Sequence, residues 1–224
     1  MELPYIPTNN PRKFNLTEED IKWFDDFFQS KEFAEALAIV WGFGSHLADS
    51  FVVRNADSTV VERFSQLVRK TRPLHPYECK DKAKPYTQWV CGMHHLHPFV
   101  LKIKSMGWVG SNNEDKPYPK GSFDEEVFVK MYIKLHHSLD KSYSTAKKYT
   151  RPRLRIHGTA DVLSHISHFL FEQLNVGEKK VQNHKQTTRT KTLQYTSKLE
   201  IPQILNYVNA AESIKKFDSL KLGY

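Results

Sequence analysis

The stretch from Phe33 to Ser45 constrains the fold more than any other part of the chain. It reads FAEALAIVWGFGS, it is rich in alanine, and it carries no charged residue from Ala36 onward. A helix with almost no polar face must be buried on most of its sides. The pattern therefore predicts a buried helix, and Gly44 predicts its end because glycine tolerates the positive φ at which many helices stop.

A fainter copy of this helix recurs at residues 128–138, which read FVKMYIKLHHS. In both halves of the chain, apolar periodicity and turn residues predict the order helix, strand, strand, helix, strand, strand, helix. Offsets of 93 and 102 residues superpose Ser45 on Ser138 and Val60 on Val162. The offset grows only within predicted hairpins, where insertions are tolerated. The sequence thus predicts an α+β fold built from two pseudo-symmetric αββαββα repeats.

A change in composition separates these two repeats. The stretch from 107 to 122 contains GSNNEDKPYPKGS, and segments rich in glycine, proline and asparagine are typical of linkers. Near the N-terminus, Asn15 is expected to cap a short amphipathic helix. The predicted organisation is an N-terminal arm and short helix at 1–30, a first repeat at 31–106, the linker at 107–122, a second repeat at 123–217 and a C-terminal tail at 218–224.

The composition of the whole chain favours a basic, intracellular protein. Its 224 residues carry a formal net charge of +8 and the pI is about 9.3, which is frequent among nucleic-acid-binding proteins and also found outside them. No apolar run reaches the length of about 18 residues that a transmembrane helix needs, and the N-terminus lacks a signal-peptide pattern. The two cysteines, Cys79 and Cys91, do not make a disulfide framework. We therefore expect a location in the cytoplasm or nucleoid and no membrane partner.

The clearest binding signal is an alternation of arginine with apolar residues in the second repeat. In a β-strand, period two places Arg151, Arg153 and Arg155 on one face and the residues between them on the other. Three neighbouring guanidinium groups repel one another unless anions neutralise them, so phosphates or base edges opposite this face are expected. A solvated strand face with scattered carboxylate partners is the alternative interpretation.

Polar and basic residues of the neighbouring hairpin extend this surface. Thr192 and Gln194 alternate with Leu193 and Tyr195, so they are expected to point away from the core. Glutamine, threonine and arginine at alternating sheet positions are residue types that read base edges. The prediction is therefore a polar sheet face that contacts nucleic acid.

The first repeat is less polarised than the second. Phe51 and Val53 fall at the positions matched to Arg153 and Arg155. This asymmetry predicts either that the second repeat dominates binding or that the target site is not palindromic. The complete set of predicted DNA-binding residues is Lys70, Arg72, Lys80, Lys82, Lys84, Tyr86, Gln88, Lys147, Lys148, Arg151, Arg153, Arg155, Lys180, Gln182, His184, Arg189, Lys191, Thr192 and Gln194.

The twofold order of elements and several short phrases resemble the LAGLIDADG family of homing endonucleases and maturases. The phrases are WGFGS at 41–45, VVRNADSTVVERF at 52–64, YTQWVCGMHHLHPFVLKI at 86–103, LRIHGTADVLSHI at 154–166 and KTLQYTSKLEIPQILNYV at 191–208. The resemblance covers residues 17–217. It implies that the two long helices pack against each other at a pseudo-twofold axis, and that two saddle-shaped antiparallel sheets lie in the major groove.

The resemblance also implies that the last acidic residue of each long helix holds a divalent metal. The matching positions are Phe43 and His136, and neither is a carboxylate. Cleavage with two metal ions needs hard, anionic oxygen ligands at this centre. Asp49 and Asp140 are either relocated ligands or aspartates of hairpin turns.

We therefore predict a non-cleaving, monomeric protein without a cofactor that binds a long, non-palindromic site in double-stranded DNA. Its role would be that of a regulator or accessory factor in gene expression. One alternative is an active homing endonuclease that uses Mg²⁺, and another is an RNA-binding intron maturase. A zinc site at His94, His95 and His97 is disfavoured, because no cysteine or acidic residue lies at ligand spacing beside them.

Overall fold

The computed structural model of the chain describes residues 16–47, 50–80, 85–110, 115–144, 149–184 and 187–220. Within these ranges the chain forms eight helices and two four-stranded sheets. Its residues cluster into two compact units. The first unit is Met1–Ser111 with Pro119–Phe128, and the second is Asn112–Tyr118 with Val129–Tyr224.

The first repeat follows a short N-terminal helix and has the predicted order of elements. Its four strands form one antiparallel sheet in the order β1-β2-β4-β3. The elements are α1 (Glu18–Phe27), α2 (Lys31–Phe43), β1 (Gly44–Leu47), β2 (Ser50–Asn55), α3 (Ser58–Leu67), β3 (His75–Cys79), β4 (Tyr86–His94) and α4 (Pro98–Ser105).

The second repeat has the same order, and one further helix follows it. Its sheet has the order β5-β6-β8-β7 and is also antiparallel. The elements are α5 (Glu125–His136), β5 (His137–Ser144), β6 (Tyr149–Gly158), α6 (Ala160–Leu174), β7 (Gln182–His184), β8 (Thr187–Tyr195), α7 (Glu200–Tyr207) and α8 (Ala211–Asp218). The prediction of an α+β fold with two αββαββα repeats is therefore confirmed.

Helix α2 is buried as its composition requires. Every residue from Ala36 to Trp41 is fully buried, and the Phe33 backbone N–H donates to the Oγ of the N-cap residue Ser30 at 3.1 Å. Neither α2 nor any other helix in the described ranges is long and apolar enough to cross a membrane.

Gly44 ends α2 for a reason other than the one expected from the sequence. Its φ of −71° lies outside the left-handed region. A Cβ at this position would lie 2.7 Å from both the Phe51 Cζ and the Val40 carbonyl oxygen. The expectation of a positive φ was wrong, and glycine is needed here because strand β2 approaches the end of the helix closely.

Thr17 caps α1, whereas the sequence pointed to Asn15, which lies outside the described residues. The Thr17 backbone N–H and hydroxyl each donate to Asp20 Oδ2 at 2.9 Å. The Asp20 backbone N–H donates in return to Thr17 Oγ1 at 3.1 Å. This reciprocal capping box satisfies two donors at the start of the helix.

Candidate nucleic-acid interface

The residues of the second sheet divide between an apolar and a polar face. Along β6, Pro152, Leu154 and Ile156 are buried, while the arginines between them are half-buried. The strand register places the other polar residues beside those arginines. We call this surface the arginine face; it comprises Ser138, Asp140, Ser142, Arg151, Arg153, Arg155, His157, Gln182, Thr192 and Gln194.

A carboxylate lies among these arginines. Asp140 sits opposite Arg153 in the register, and it accepts from Arg153 Nε and Nη2 at 2.8 Å each. Arg155 Nη2 donates to the same carboxylate at 2.8 Å. The hydrogen bonds from Arg153 are the largest influence on the Asp140 carboxyl and lower its pKa. Part of the charge on this face is therefore neutralised within the protein.

Of the two aspartates expected to be either metal ligands or turn residues, the structure describes only Asp140. Strand β5 starts directly after α5, so Asp140 lies within the strand, and its assignment to a hairpin turn was wrong. Asp49 lies outside the described residues. Because Asp140 binds two guanidinium groups, its geometry is that of an ion-pair partner of the arginines.

Several polar atoms on the arginine face have no partner among the described residues. The Nε atoms of Arg151 and Arg155 are buried and make no hydrogen bond among the described residues, and neither does the Ser142 hydroxyl. Buried polar atoms are normally paired. The described residues therefore leave these polar atoms unsatisfied within the arginine face.

Strand β8 contributes Thr192 and Gln194 to the same face. Gln194 is half-buried and pairs with Arg155 in the register. Thr192 is only 4% exposed, because the larger residues His157 and Gln182 flank it on the two neighbouring strands. The register thus places Thr192 on the polar face, as expected, but neighbouring side chains cover it.

The remaining predicted residues of the second repeat do not all lie on this face. Lys180 precedes β7 and is therefore not part of the sheet. Lys191 pairs with Gly158, which places it on the opposite face, and its Nζ donates to Asn183 Oδ1 at 3.1 Å. The side chains of His184 and Arg189 are not described, and Lys147 and Lys148 lie outside the described residues.

The first sheet shows that the sequence alignment of the two repeats was one residue out of register. Ser45 pairs with Val52, and its counterpart Ser138 pairs with Arg155. Val52 therefore matches Arg155, whereas Phe51 and Val53 lie on the core face and are fully buried. A shift of one residue moves a strand position to the other face of the sheet, so the earlier matching of Phe51 and Val53 to arginines was wrong.

The outer face of the first sheet carries two of the residues predicted for the first repeat. Tyr86 and Gln88 lie on it, and Gln88 Nε2 donates to the Tyr86 hydroxyl at 3.1 Å. The Arg72 side chain reaches over Gly92, with its Cδ 3.5 Å from where a Cβ would stand. Lys80 directly follows β3 and is exposed, while Lys82 and Lys84 lie outside the described residues.

Lys70 does not belong to the predicted surface. It precedes β3 and adopts a left-handed backbone with φ of 61°. Its Nζ lies 2.9 Å from Asp20 Oδ2, so it binds the capping carboxylate of α1. Both Lys70 and Arg72 lie before the β3–β4 hairpin.

Phe43 and His136 are the last residues of α2 and α5, as the resemblance required. Burial, with the nearby Lys116 and His157, lowers the pKa of His136 to about 3, so its imidazole is neutral at physiological pH. A phenyl ring and a neutral imidazole do not provide the anionic oxygen ligands that Mg²⁺ needs. Within the described ranges, no group of three or more His, Cys, Asp or Glu side chains is arranged to hold a metal ion.

His97, one of the three histidines for which a zinc site was disfavoured, has a structural role. His97 is fully buried and caps α4, where its Nδ1 accepts from the Phe99 backbone N–H at 3.2 Å. Its Nε2 donates to the Arg69 carbonyl oxygen at 2.9 Å. Both ring nitrogens are therefore used by the neutral form, and burial lowers the pKa of His97 to about 4.

We expect the first unit to lose stability as pH falls from about 6.5 to about 4. The unfolded chain has the higher His97 pKa, so it takes up the proton first and protonation favours unfolding. Full protonation would cost about 3 kcal/mol. Urea unfolding followed by tryptophan fluorescence at several pH values measures the effect. In the variant His97→Asn, the asparagine side chain still provides an acceptor for the helix cap but does not titrate. If the free energy of unfolding depended on pH equally in the variant and in the unmodified protein, this assignment would be contradicted.

Three residues of the candidate surfaces were missed in the sequence. Arg54 is exposed on the outer face of the first sheet, and Tyr77, 57% exposed, pairs there with Gln88. Lys216 of α8 is close enough to Asp140 to contribute to its lowered pKa. Arg54 lies an even number of residues after Ser50, so both are on the same face of β2, and a correct strand register would have identified it. The position of Lys216, in contrast, depends on tertiary packing.

Similarity to known proteins is found by comparison of structures and not by comparison of sequences. No protein-family model and no curated protein sequence matches this chain. Full-length DUF199/WhiA from Thermatoga maritima has a TM-score of 0.51 at 14% identity, over 86% of this chain and 61% of that one. The N-terminal LAGLIDADG domain of DUF199/WhiA, solved separately, has a TM-score of 0.51 at 12% identity, over 85% of this chain and 89% of that one. The LAGLIDADG homing endonuclease I-GzeII, in complex with its DNA target, has a TM-score of 0.50 at 10% identity, over 85% and 88% of the two chains.

Proposed function

We propose that this chain, a degenerate protein with the LAGLIDADG fold, is a non-cleaving protein that binds double-stranded DNA sequence-specifically. Its role is that of a regulator or accessory factor in gene expression. One chain supplies two sheets, so a monomer offers two binding faces without a second copy. The solved homing endonuclease with this fold is in complex with a DNA target, which supports duplex DNA as the partner.

The arginine face is the observation that carries the proposal. Outward residues of an antiparallel strand are about 6.8 Å apart, which is close to two base-pair steps of about 3.4 Å. Arg151, Arg153 and Arg155 can therefore follow successive positions along a duplex. A two-stranded antiparallel ribbon fits the major groove, where arginine reads guanine and glutamine reads adenine. The adjoining Gln194 and Gln182 supply that second type of side chain.

Phe43 and His136 support the absence of cleavage. The metal-assisted reaction of the endonucleases needs anionic oxygen ligands where these two residues stand. The residues present do not fit such a metal pair. Binding without cutting is thus the activity that the side chains support.

The difference between the two sheets supports a target that is not palindromic. The second sheet presents three arginines, whereas the corresponding strand of the first presents Ser50, Val52 and Arg54. Two unlike faces cannot make the same contacts with two identical half-sites. A single chain therefore suits a long, asymmetric site.

Selection from a random duplex library, with and without Mg²⁺, tests the proposal. We expect one asymmetric sequence to be enriched equally under both conditions. Affinity for it should fall steeply as salt rises, because binding releases counterions from the phosphates. A lack of enrichment at low salt would reject the proposal.

Two further measurements separate the proposal from its alternatives. The selected duplex is incubated with Mg²⁺ or Mn²⁺, and reproducible cutting would show an active endonuclease. A structured RNA library is offered in competition, and preferential RNA binding would show a maturase-like protein. We expect intact duplex in the first assay and retained DNA binding in the second.

A further inference from the structure

We infer that Asp140 is a specificity-determining residue, which orients Arg153 and Arg155 for contact with base edges and limits their attraction to phosphates. This inference rests on the proposed DNA-binding function and assigns a role within the same surface. Asp140 itself is an acceptor only and need not touch the nucleic acid.

The geometry of the pair leaves the recognition edge of Arg153 available. Asp140 binds the lateral edge of this guanidinium, formed by Nε and Nη2. A guanidinium carries five N–H donors, so both Nη1 hydrogens and the outer Nη2 hydrogen remain for another acceptor. This terminal edge can contact guanine O6 and N7 while the lateral edge stays bound to Asp140.

The same carboxylate fixes the two arginines relative to each other. Arg155 donates through Nη2 to the oxygen that also accepts from Arg153 Nη2. Free arginine side chains lose considerable rotamer entropy on binding. A pair that is already held in place loses less, and a preorganised contact discriminates better between right and wrong partners.

Asp140 also lowers the charge of the surface. Among the described residues of the arginine face, three arginines are opposed by this one carboxylate. The side chains of Asp140, Arg153 and Arg155 are 35%, 28% and 28% exposed, so the carboxylate is close enough to solvent to repel a backbone phosphate. Phosphate contacts carry no sequence information. Repelling them weakens binding to random sequence more than binding through base edges.

The variant Asp140→Asn tests this role in the full chain. Dissociation constants are measured for the selected duplex and for a duplex pool of random sequence at one salt concentration. We expect the dissociation constant for the random pool, divided by that for the selected duplex, to fall about tenfold, because the arginines lose their fixed orientation. Binding to the random pool should become tighter, since the face gains one unit of positive charge.

Glu172→Gln is the matched control, because it changes the net charge equally. Glu172 lies on α6, is 59% exposed and is not part of the arginine face. An unchanged ratio in Asp140→Asn, or a ratio that falls equally in both variants, would overturn the inference.

A second variant keeps the test valid if Asp140→Asn fails to fold. Asp140→Glu retains the charge but moves the carboxylate by one methylene, so it should lower the ratio without tightening binding to the random pool. An unchanged ratio in Asp140→Glu would overturn the role in orientation. If the unmodified protein shows no sequence preference at all, the proposed function fails before either variant is compared.

Discussion

Replacing Arg153 and Arg155 together with alanine is expected to weaken binding of the selected duplex at least about a hundredfold. Each base contact by an arginine fork is worth about 1–3 kcal/mol. The double variant also leaves Asp140 without its two ion-pair partners. An unpaired carboxylate on the binding face would then repel phosphates, so the loss should exceed that of two neutral deletions.

Fluorescence anisotropy of a labelled duplex, titrated at several salt concentrations, measures this effect. Arg63→Ala is the matched control, because Arg63 is also bound to a carboxylate, with its Nη2 2.6 Å from Glu35 Oε2. Arg63 lies on α3 and is not part of the arginine face, so its loss should change affinity little. Equal affinities of the double variant and the unmodified protein would show that the arginine face does not bind DNA.

The single variants divide the effect between the two arginines. Arg155→Ala leaves Asp140 bound through both oxygens to Arg153, so it should cost about tenfold in affinity. Arg153→Ala removes the bidentate partner and leaves Asp140 with one hydrogen bond from Arg155. We therefore expect Arg153→Ala to be the more damaging of the two.

Features with a strong local period could be predicted from the sequence. The run from Ala36 to Trp41 has no polar face, and the helix that contains it is buried there on all sides. Arg151 to Ile156 alternates charged and apolar residues, and burial alternates with it. In both cases one physical demand, the removal of apolar surface from water, determines the local structure.

The register of β2 could not be predicted in this way. Phe51, Val52 and Val53 are all apolar, so the run has no alternation that shows which face is buried. Both valines and the phenylalanine are in fact nearly or fully buried. The face of each residue follows from its pairing with β1 and β4, which is a property of the sheet.

The ion pairs of the site were equally hidden from the sequence. Asp140 is 13 residues from Arg153 and 15 from Arg155 in the chain, and only the hairpin register brings them together. Lys70 was predicted to bind DNA, yet it binds Asp20 of the N-terminal helix. The sum of charges along a segment therefore overestimated the basic surface, since neutralising carboxylates came from other elements.

Phe51→Ala should produce the largest loss of stability among the changes considered. Phe51 is fully buried, and its ring packs edge-on against Trp108 with the centroids 4.8 Å apart. Removal of a buried phenylalanine side chain leaves a cavity and costs about 3–5 kcal/mol. All four tryptophans of the chain lie in the first unit, so tryptophan fluorescence during urea unfolding reports on that unit.

Val52→Ala is the neighbouring control, and the comparison tests the orientation of β2 directly. Val52 lies on the outer face and is 7% exposed, so truncating it should cost about 1 kcal/mol. If the strand were shifted by one residue, Val52 would enter the core and Phe51 would take the place that matches Arg155. A larger loss for Val52→Ala than for Phe51→Ala would therefore reverse the faces of the first sheet. The outer face of the first sheet would then consist of different residues. The comparison with the second sheet, which supports a non-palindromic target, would have to be made again with those residues.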